Sequence, residues 1–173
     1  MTKVLATTLP AAALLQTYAR RDDYVDCFVT QTAGNVPLAR FVEAFYTTWL
    51  FRMERAILTL AAMPATDLQA QAVATGSGST FAAWRVEARA EDQLLLCDVT
   101  ARTRSWFMVT PPARGGADRT LLYFGSAITA APDPRTGKAT IGVLYRSLVG
   151  VHKVYSRALL KTAAQRLRHP PSV

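Results

Sequence analysis

A chain of 173 residues, half of them hydrophobic and with a mean hydropathy of +0.12, can bury the core of one domain and is not disordered throughout. No apolar run reaches the roughly 20 residues of a membrane-spanning helix, and two histidines with two distant cysteines are too few for a zinc site. The net charge of +8 is uneven: residues 1–99 carry eight basic and ten acidic side chains, residues 100–173 carry twelve and two. Eight of those basic residues follow from Arg135 onward with no acid among them. Such a segment can meet an anionic surface, yet no aromatic residue interleaves the cations as single-strand binders require. A solvated helix face is the simpler reading, nucleic acid is not expected as a partner, and an anionic membrane surface is the remaining candidate.

Residues 1–21 read as an N-terminal extension. Their apolar run is interrupted by Thr7, Thr8 and Pro10, which argues against a cleaved leader. Residues 24–32 (YVDCFVTQT) are rich in β-branched and aromatic types and predict a first strand. Gly34-Asn35 turns the chain, and Pro37 fits the first position of a helix. Residues 37–63 then predict two helices or one bent helix, with Phe41, Phe45, Thr48 and Trp49 along one face. Arg52, Glu54 and Arg55 interrupt the apolar part of this stretch and need partners, Glu54 with Arg55 being one possible ion pair. Pro64 ends the stretch, and Thr66 with Gln69 resembles a capping box opening a helix to about Ala74. The linker Gly76-Ser77-Gly78-Ser79 lacks the Lys and the spacing of a phosphate loop, so no cofactor is expected.

Four strands follow, over 80–89, 93–99, 102–110 and 119–129, with turns at Glu91-Asp92, Pro111-Pro112 and Gly115-Gly116. Alternation in the first puts Ala82, Trp84, Val86 and Ala88 opposite Arg85, Glu87 and Arg89. In the third it puts Thr103, Ser105, Phe107 and Val109 opposite Arg104, Trp106, Met108 and Thr110. Residues 141–168 predict a helix of about seven turns. Its apolar stripe is read as Ile141, Leu144, Tyr145, Leu148, Val151, Tyr155 and Leu159, with Arg146, Lys153, Arg157, Lys161, Arg168 and Gly150 outside. Cys27 and Cys97 lie in strands and read as buried, reduced thiols of a cytoplasmic protein. The fold class is therefore α+β, with an antiparallel sheet on which a long C-terminal helix buries its stripe and two helices inserted after the first strand. Residues 22–168 form the domain and 169–173 a tail. The oligomeric state is open, because an exposed meander edge could pair between copies.

This order, with the segments TRSWFMV (103–109), LYFGSA (122–127) and HKVYSRALL (152–160), resembles the START-like (SRPBCC, helix-grip) superfamily, in a bacterial branch without an assigned activity. Five strands are predicted where members commonly carry six or seven. The resemblance implies an antiparallel sheet curled around the long C-terminal helix, with a mostly apolar pocket between them for a lipid or another hydrophobic small molecule. A minority of members are polyketide cyclases or dehydratases. Candidate lining residues are Trp84, Arg104, Trp106, Tyr123, Tyr145 and His152, with Ser156 beside His152. An enzyme would rest on His152 and Tyr145 as acid and base. A Ser/His/acid triad can be drawn from Ser105 or Ser126 with His152, but there is no nucleophile elbow. Binding is the leading expectation, a cyclase-like enzyme the first alternative and an interaction module using the basic helix the second. Convergence of His152 and a hydroxyl on a cavity would favour the enzyme, a purely apolar cavity with one Arg would favour binding, and a filled interior would favour the module.

Overall fold

The computed structural model describes residues 3–21, 23–53, 66–112, 118–129, 131–132, 139–140 and 143–168, with side chains of the last helix described from residue 150. Its centre is a seven-stranded antiparallel sheet. In chain order the strands are β1 (Leu5–Ala6), β2 (Tyr24–Ala33), β3 (Thr80–Phe81), β4 (Trp84–Arg89), β5 (Gln93–Asp98), β6 (Thr103–Thr110) and β7 (Arg119–Ile128). In space they run β1-β2-β7-β6-β5-β4-β3, so the first long strand pairs with the last. A separate pair, β8 (Ala131–Pro132) and β9 (Ala139–Thr140), lies outside this sheet. The helices are α1 (Gln16–Ala19), α2 (Leu38–Tyr46), α3 (Asp67–Thr75) and α4 (Val143–Arg168).

The sheet is buried on both faces. On the inner face Phe28, Leu94, Leu96, Phe107, Leu122 and Phe124 meet α2, α3 and α4. The contact is largely aromatic. Phe45 meets Phe107 edge to face and Phe124 at a tilt, with centroids 4.9 and 4.6 Å away, and Tyr46 touches Phe51 and Phe81 at 4.7 and 4.9 Å. On the outer face the segment expected as an extension is built into the domain. Ala13, Leu15 and Tyr18 cover Cys27, Leu95, Trp106 and Ala127. Buried Gln93 secures this strap: its side chain accepts from the backbone N–H of Leu14 (2.9 Å) and from Nε1 of Trp106 (3.0 Å), and donates to the carbonyl of Ala12 (3.0 Å).

Several local expectations meet specific chemistry. The Thr66–Gln69 capping box is present, and α3 ends on Gly76 at φ +89°, a conformation that favours glycine. Pro37 stands one residue before α2 in an extended conformation. Trp49 is not on the buried face with Phe41 and Phe45; it is 63% exposed. The reason is a break at Thr47 and Thr48, whose hydroxyls bond back to Glu43 and Phe45, while Thr48 Oγ1 also accepts from Phe51 N. The helical segment 49–53 starts afresh there, so Phe51 takes the interior place. Arg52 pairs with Asp67 at 2.6 Å on the surface; the expected pairing of Glu54 and Arg55 lies outside the described residues.

The strand expected over 80–89 is two strands. Ala82 at φ +50° turns the chain back, so that Phe81 pairs with Trp84 and buries against Tyr46. A bulge between Val86 and Ala88 then reverses the alternation. Ala88 therefore packs on the outer face, and Arg89 reaches the carbonyls of Val73 and Ala74 at the end of α3, where a cation is favoured. In α4 the buried stripe is Ser156, Leu159, Leu160, Ala163 and Ala164, whereas Val151 is 66% exposed. At about 100° per residue His152 falls in line with Leu159, and Val151 sits about 80° away. Ile141 and the side chains of Leu144, Tyr145, Arg146 and Leu148 lie outside the described residues. Among the described residues no helix is long and apolar enough to cross a membrane.

Two glycines give opposite predictions. A Cβ on Gly125 would meet the Asp26 carbonyl at 2.8 Å, Leu15 at 3.0 Å and Trp106 at 3.0 Å. Gly125→Ala should therefore lower unfolding free energy by about 1–3 kcal/mol, because backbone and packed rings must move. A Cβ on Gly150 would meet nothing within 4 Å, and Gly150→Ala should raise stability by about 0.5–1 kcal/mol. Urea denaturation of the two variants checks both signs.

Candidate functional site

A cavity of about 180 Å3 lies between the inner face of the sheet, α2 and α4. Its larger part is apolar: Phe45 and Tyr46 come from α2, Phe51 from the following segment, Trp84 from β4, Phe124 from β7, and Tyr155 and Leu159 from α4. Its polar part is formed by Thr103 and Ser105 of β6 with His152 and Ser156 of α4. These meet because β6 turns its odd-numbered residues inward and because His152, Ser156 and Leu159 recur at helical spacing.

His152 is the centre of the polar part. Its Nε2 lies 3.0 Å from Ser126 Oγ, 3.5 Å from Ser156 Oγ and 3.8 Å from Asp26 Oδ2. Asp26 is buried and anchored on both oxygens: Oδ1 accepts from the backbone N–H of Ser126 (3.1 Å) and Oδ2 from the hydroxyl of Tyr24 (3.1 Å). Burial, reinforced by the Asp26 charge and hydrogen bond, raises the Tyr24 phenol well above its ordinary range. The register of β2 on β7, Asp26 opposite Ser126, makes the cluster possible. The geometry excludes a nucleophilic relay from Ser126. Such a relay needs the serine and the acid on opposite ring nitrogens, and here both approach Nε2.

Of the residues read from the sequence, Trp84, Arg104 and His152 line this cavity, as does Ser156. The guanidinium of Arg104, however, is engaged on the outer face, 3.1 Å from Glu87 Oε2 and 4.5 Å over the ring of Tyr18. Trp106 and Tyr123 do not join the site. They face outward and pack together under the N-terminal strap, Trp106 being fully buried. The physical reason is the pleat: Ser105 and Phe107 occupy the inward positions of β6, and Leu122 and Phe124 those of β7. The side chain of Tyr145 lies outside the described residues. Asp26 was not anticipated. Its signal was a lone carboxylate in the strand YVDCFVT, where a charge needs a partner. Among the described residues, no three or more His, Cys, Asp or Glu side chains gather as metal ligands.

Comparison of the chain with protein-family models, with curated proteins and with solved structures finds no match.

Both cysteines are free and buried. Cys27 stands next to Asp26 but on the outer face; burial first, and the Asp26 charge second, push its thiol up from 9.0 to about 12. The protonated thiol is the form favoured in the folded state. Its contribution to stability is intact below pH 9 and is lost as pH rises towards 12, because the unfolded chain releases this proton first. We expect the native protein to resist thiol reagents at pH 8 and to react fully in denaturant. The fall in stability above pH 9 should be shallower in Cys27→Ala than in the wild type, as read by urea denaturation across the range.

Proposed function

We propose that this domain binds a small, largely apolar molecule in the cavity between its sheet and α4, in a helix-grip arrangement of the START-like kind. The observation that carries the reading is the cavity itself, with aromatic walls and one polar pole on the long helix. The sheet order supports the helix-grip comparison: β2 precedes α2 and α3, pairs with β7, and the long helix comes last. That comparison rests on element order alone, since no family model or solved structure matches. Volume narrows the ligand. Pockets for drug-sized molecules span about 300–1,000 Å3. An apolar cavity of about 150 Å3 admits benzene. At about 180 Å3, the space suits one ring and a few further atoms and is too small for a sterol or a long acyl chain.

A second reading is an enzyme of the cyclase or dehydratase kind. His152 converging with Ser156 at the cavity wall, and with Ser126 3.0 Å from its Nε2, meets the expectation set for an enzyme; binding stays first because no carboxylate lines the cavity among the described residues. The third, an interaction module built on the basic helix with an anionic membrane surface as partner, has less support. Arg157, Arg166 and Arg168 donate to the carbonyls of Val4, Thr47 and Gln31, and Lys153 lies over the ring of Tyr24. These cations already hold α4 to its neighbours.

Single-ring compounds such as toluene should raise the melting temperature in a saturable way, while cholesterol and palmitate should not. Ser105→Phe, which fills the cavity from β6, should abolish the shift. A melting temperature unmoved by every single-ring compound would sink the binding proposal. For the second reading, the wild type should catalyse deuterium exchange at the α-carbon of cyclohexanone in D2O, followed by NMR, and His152→Gln should lose that exchange.

A further inference from the structure

The polar pole of the cavity has a direction. Three oxygens surround Nε2 of His152, and one of them belongs to a carboxylate. A carboxylate only accepts hydrogen bonds, so its charge 3.8 Å from Nε2 favours the tautomer with the ring proton on Nε2. Tyr24 and the Ser126 N–H fix that carboxylate from the other side, so it cannot swing away. The second nitrogen, Nδ1, then carries a lone pair. It has no hydrogen-bond partner among the described residues, although His152 lines the cavity.

We infer that the cavity selects a neutral single-ring ligand bearing one hydrogen-bond donor, a phenol in type, which donates to Nδ1 of His152, and that Asp26 acts as the positioning residue that makes this nitrogen an acceptor. This rests on the cavity-binding reading above and adds the chemistry of the ligand. Each wall contributes to the selection. Phe45, Phe124 and Trp84 contact the ring, and the volume limits it to one ring. The lone pair rewards a donor, and the buried carboxylate of Asp26 repels an anionic ligand.

The test uses three probes of equal ring size: phenol, toluene and benzoate, titrated into the full-length protein by calorimetry. Phenol should bind about tenfold more tightly than toluene, the scale of one net hydrogen bond. Benzoate should not bind. His152→Phe, which removes both nitrogens, should lose the preference for phenol over toluene. Independently of any ligand, two-bond 1H–15N correlations of the labelled wild-type protein should show the neutral His152 ring protonated on Nε2. Asp26→Asn should mix the two tautomers. Toluene binding as tightly as phenol, measurable benzoate binding, or a ring proton on Nδ1 in the wild type would each overturn the inference while leaving a binding cavity. Failure of both phenol and toluene to bind would overturn the cavity reading and this inference with it.

Discussion

The pairing of β2 with β7 is the constraint on which the rest of the structure depends. It joins residues 24–33 to residues 119–128 in one unbroken antiparallel register. Closing a loop of that length costs conformational entropy and is recovered only when both faces of the pair are buried. They are. Phe28 and Phe124 stand opposite each other on the inner face, and Cys27 and Gly125 stand opposite each other beneath the N-terminal strap. Gly125 is needed because Leu15 and Trp106 already occupy the space a side chain would take. A shift of one residue would send Phe28 outward and Cys27 inward, and would part Asp26 from Ser126. The site under α4 is thus a consequence of the register that closes the sheet.

A sheet buried on both faces also explains how the chain uses its charge. The outer face is sealed by a short strap whose own helix has only four residues, and it is held by Gln93 and by the group Tyr18, Glu87 and Arg104. Glu87 accepts from both Tyr18 and Arg104, and the guanidinium also lies over the Tyr18 ring. Burial, aided by the hydrogen bond to Glu87, pushes the Tyr18 phenol up to about 12. On the inner face the arginines of α4 bind backbone carbonyls on β2, on the turn after α2 and near β1. Much of the excess positive charge thereby serves as fastening for a helix that packs mainly on β2 and α2.

The parts legible in the sequence were those governed by periodicity and by local hydrogen bonding. β2 follows from β-rich composition, β5 from a run apolar on both faces, β6 from alternation, α4 from its length with no breaker but Gly150, and the start of α3 from Thr66 and Gln69. The parts that were not legible depend on contacts distant in sequence. Ala82 and Ala83 carry no turn signal; the chain folds back there because Phe81 gains a buried place beside Tyr46. The β4 bulge follows from Glu87 and Ala88 both facing outward, which alternation forbids. β1 has two residues, too short for any pattern, and exists because β2 offers it an edge. In the site, Trp84 and His152 were found by residue type and spacing. Trp106 and Tyr123 were assigned to the pocket although the pleat turns them to the other face. Asp26 needed the register of β2 on β7 to acquire a partner.

The composition of the α4 stripe distinguishes the site from ordinary core. From Leu159 onward the buried positions are Leu159, Leu160, Ala163 and Ala164, which gain stability by simple burial. One and two turns earlier the same stripe carries Ser156 and His152, facing a carboxylate on β2 and a serine on β7. Apolar residues of similar volume there would fill the space and spare the desolvation of an acid and an imidazole. The aromatic residues around them, Phe45, Phe124 and Trp84, leave the space open instead. A buried polar cluster beside an unfilled aromatic cavity departs from what stability alone favours, and such departures concentrate where a fold is adapted to recognise something. The cluster and the opening meet on α4 and β7, where His152 and Ser156 belong to both.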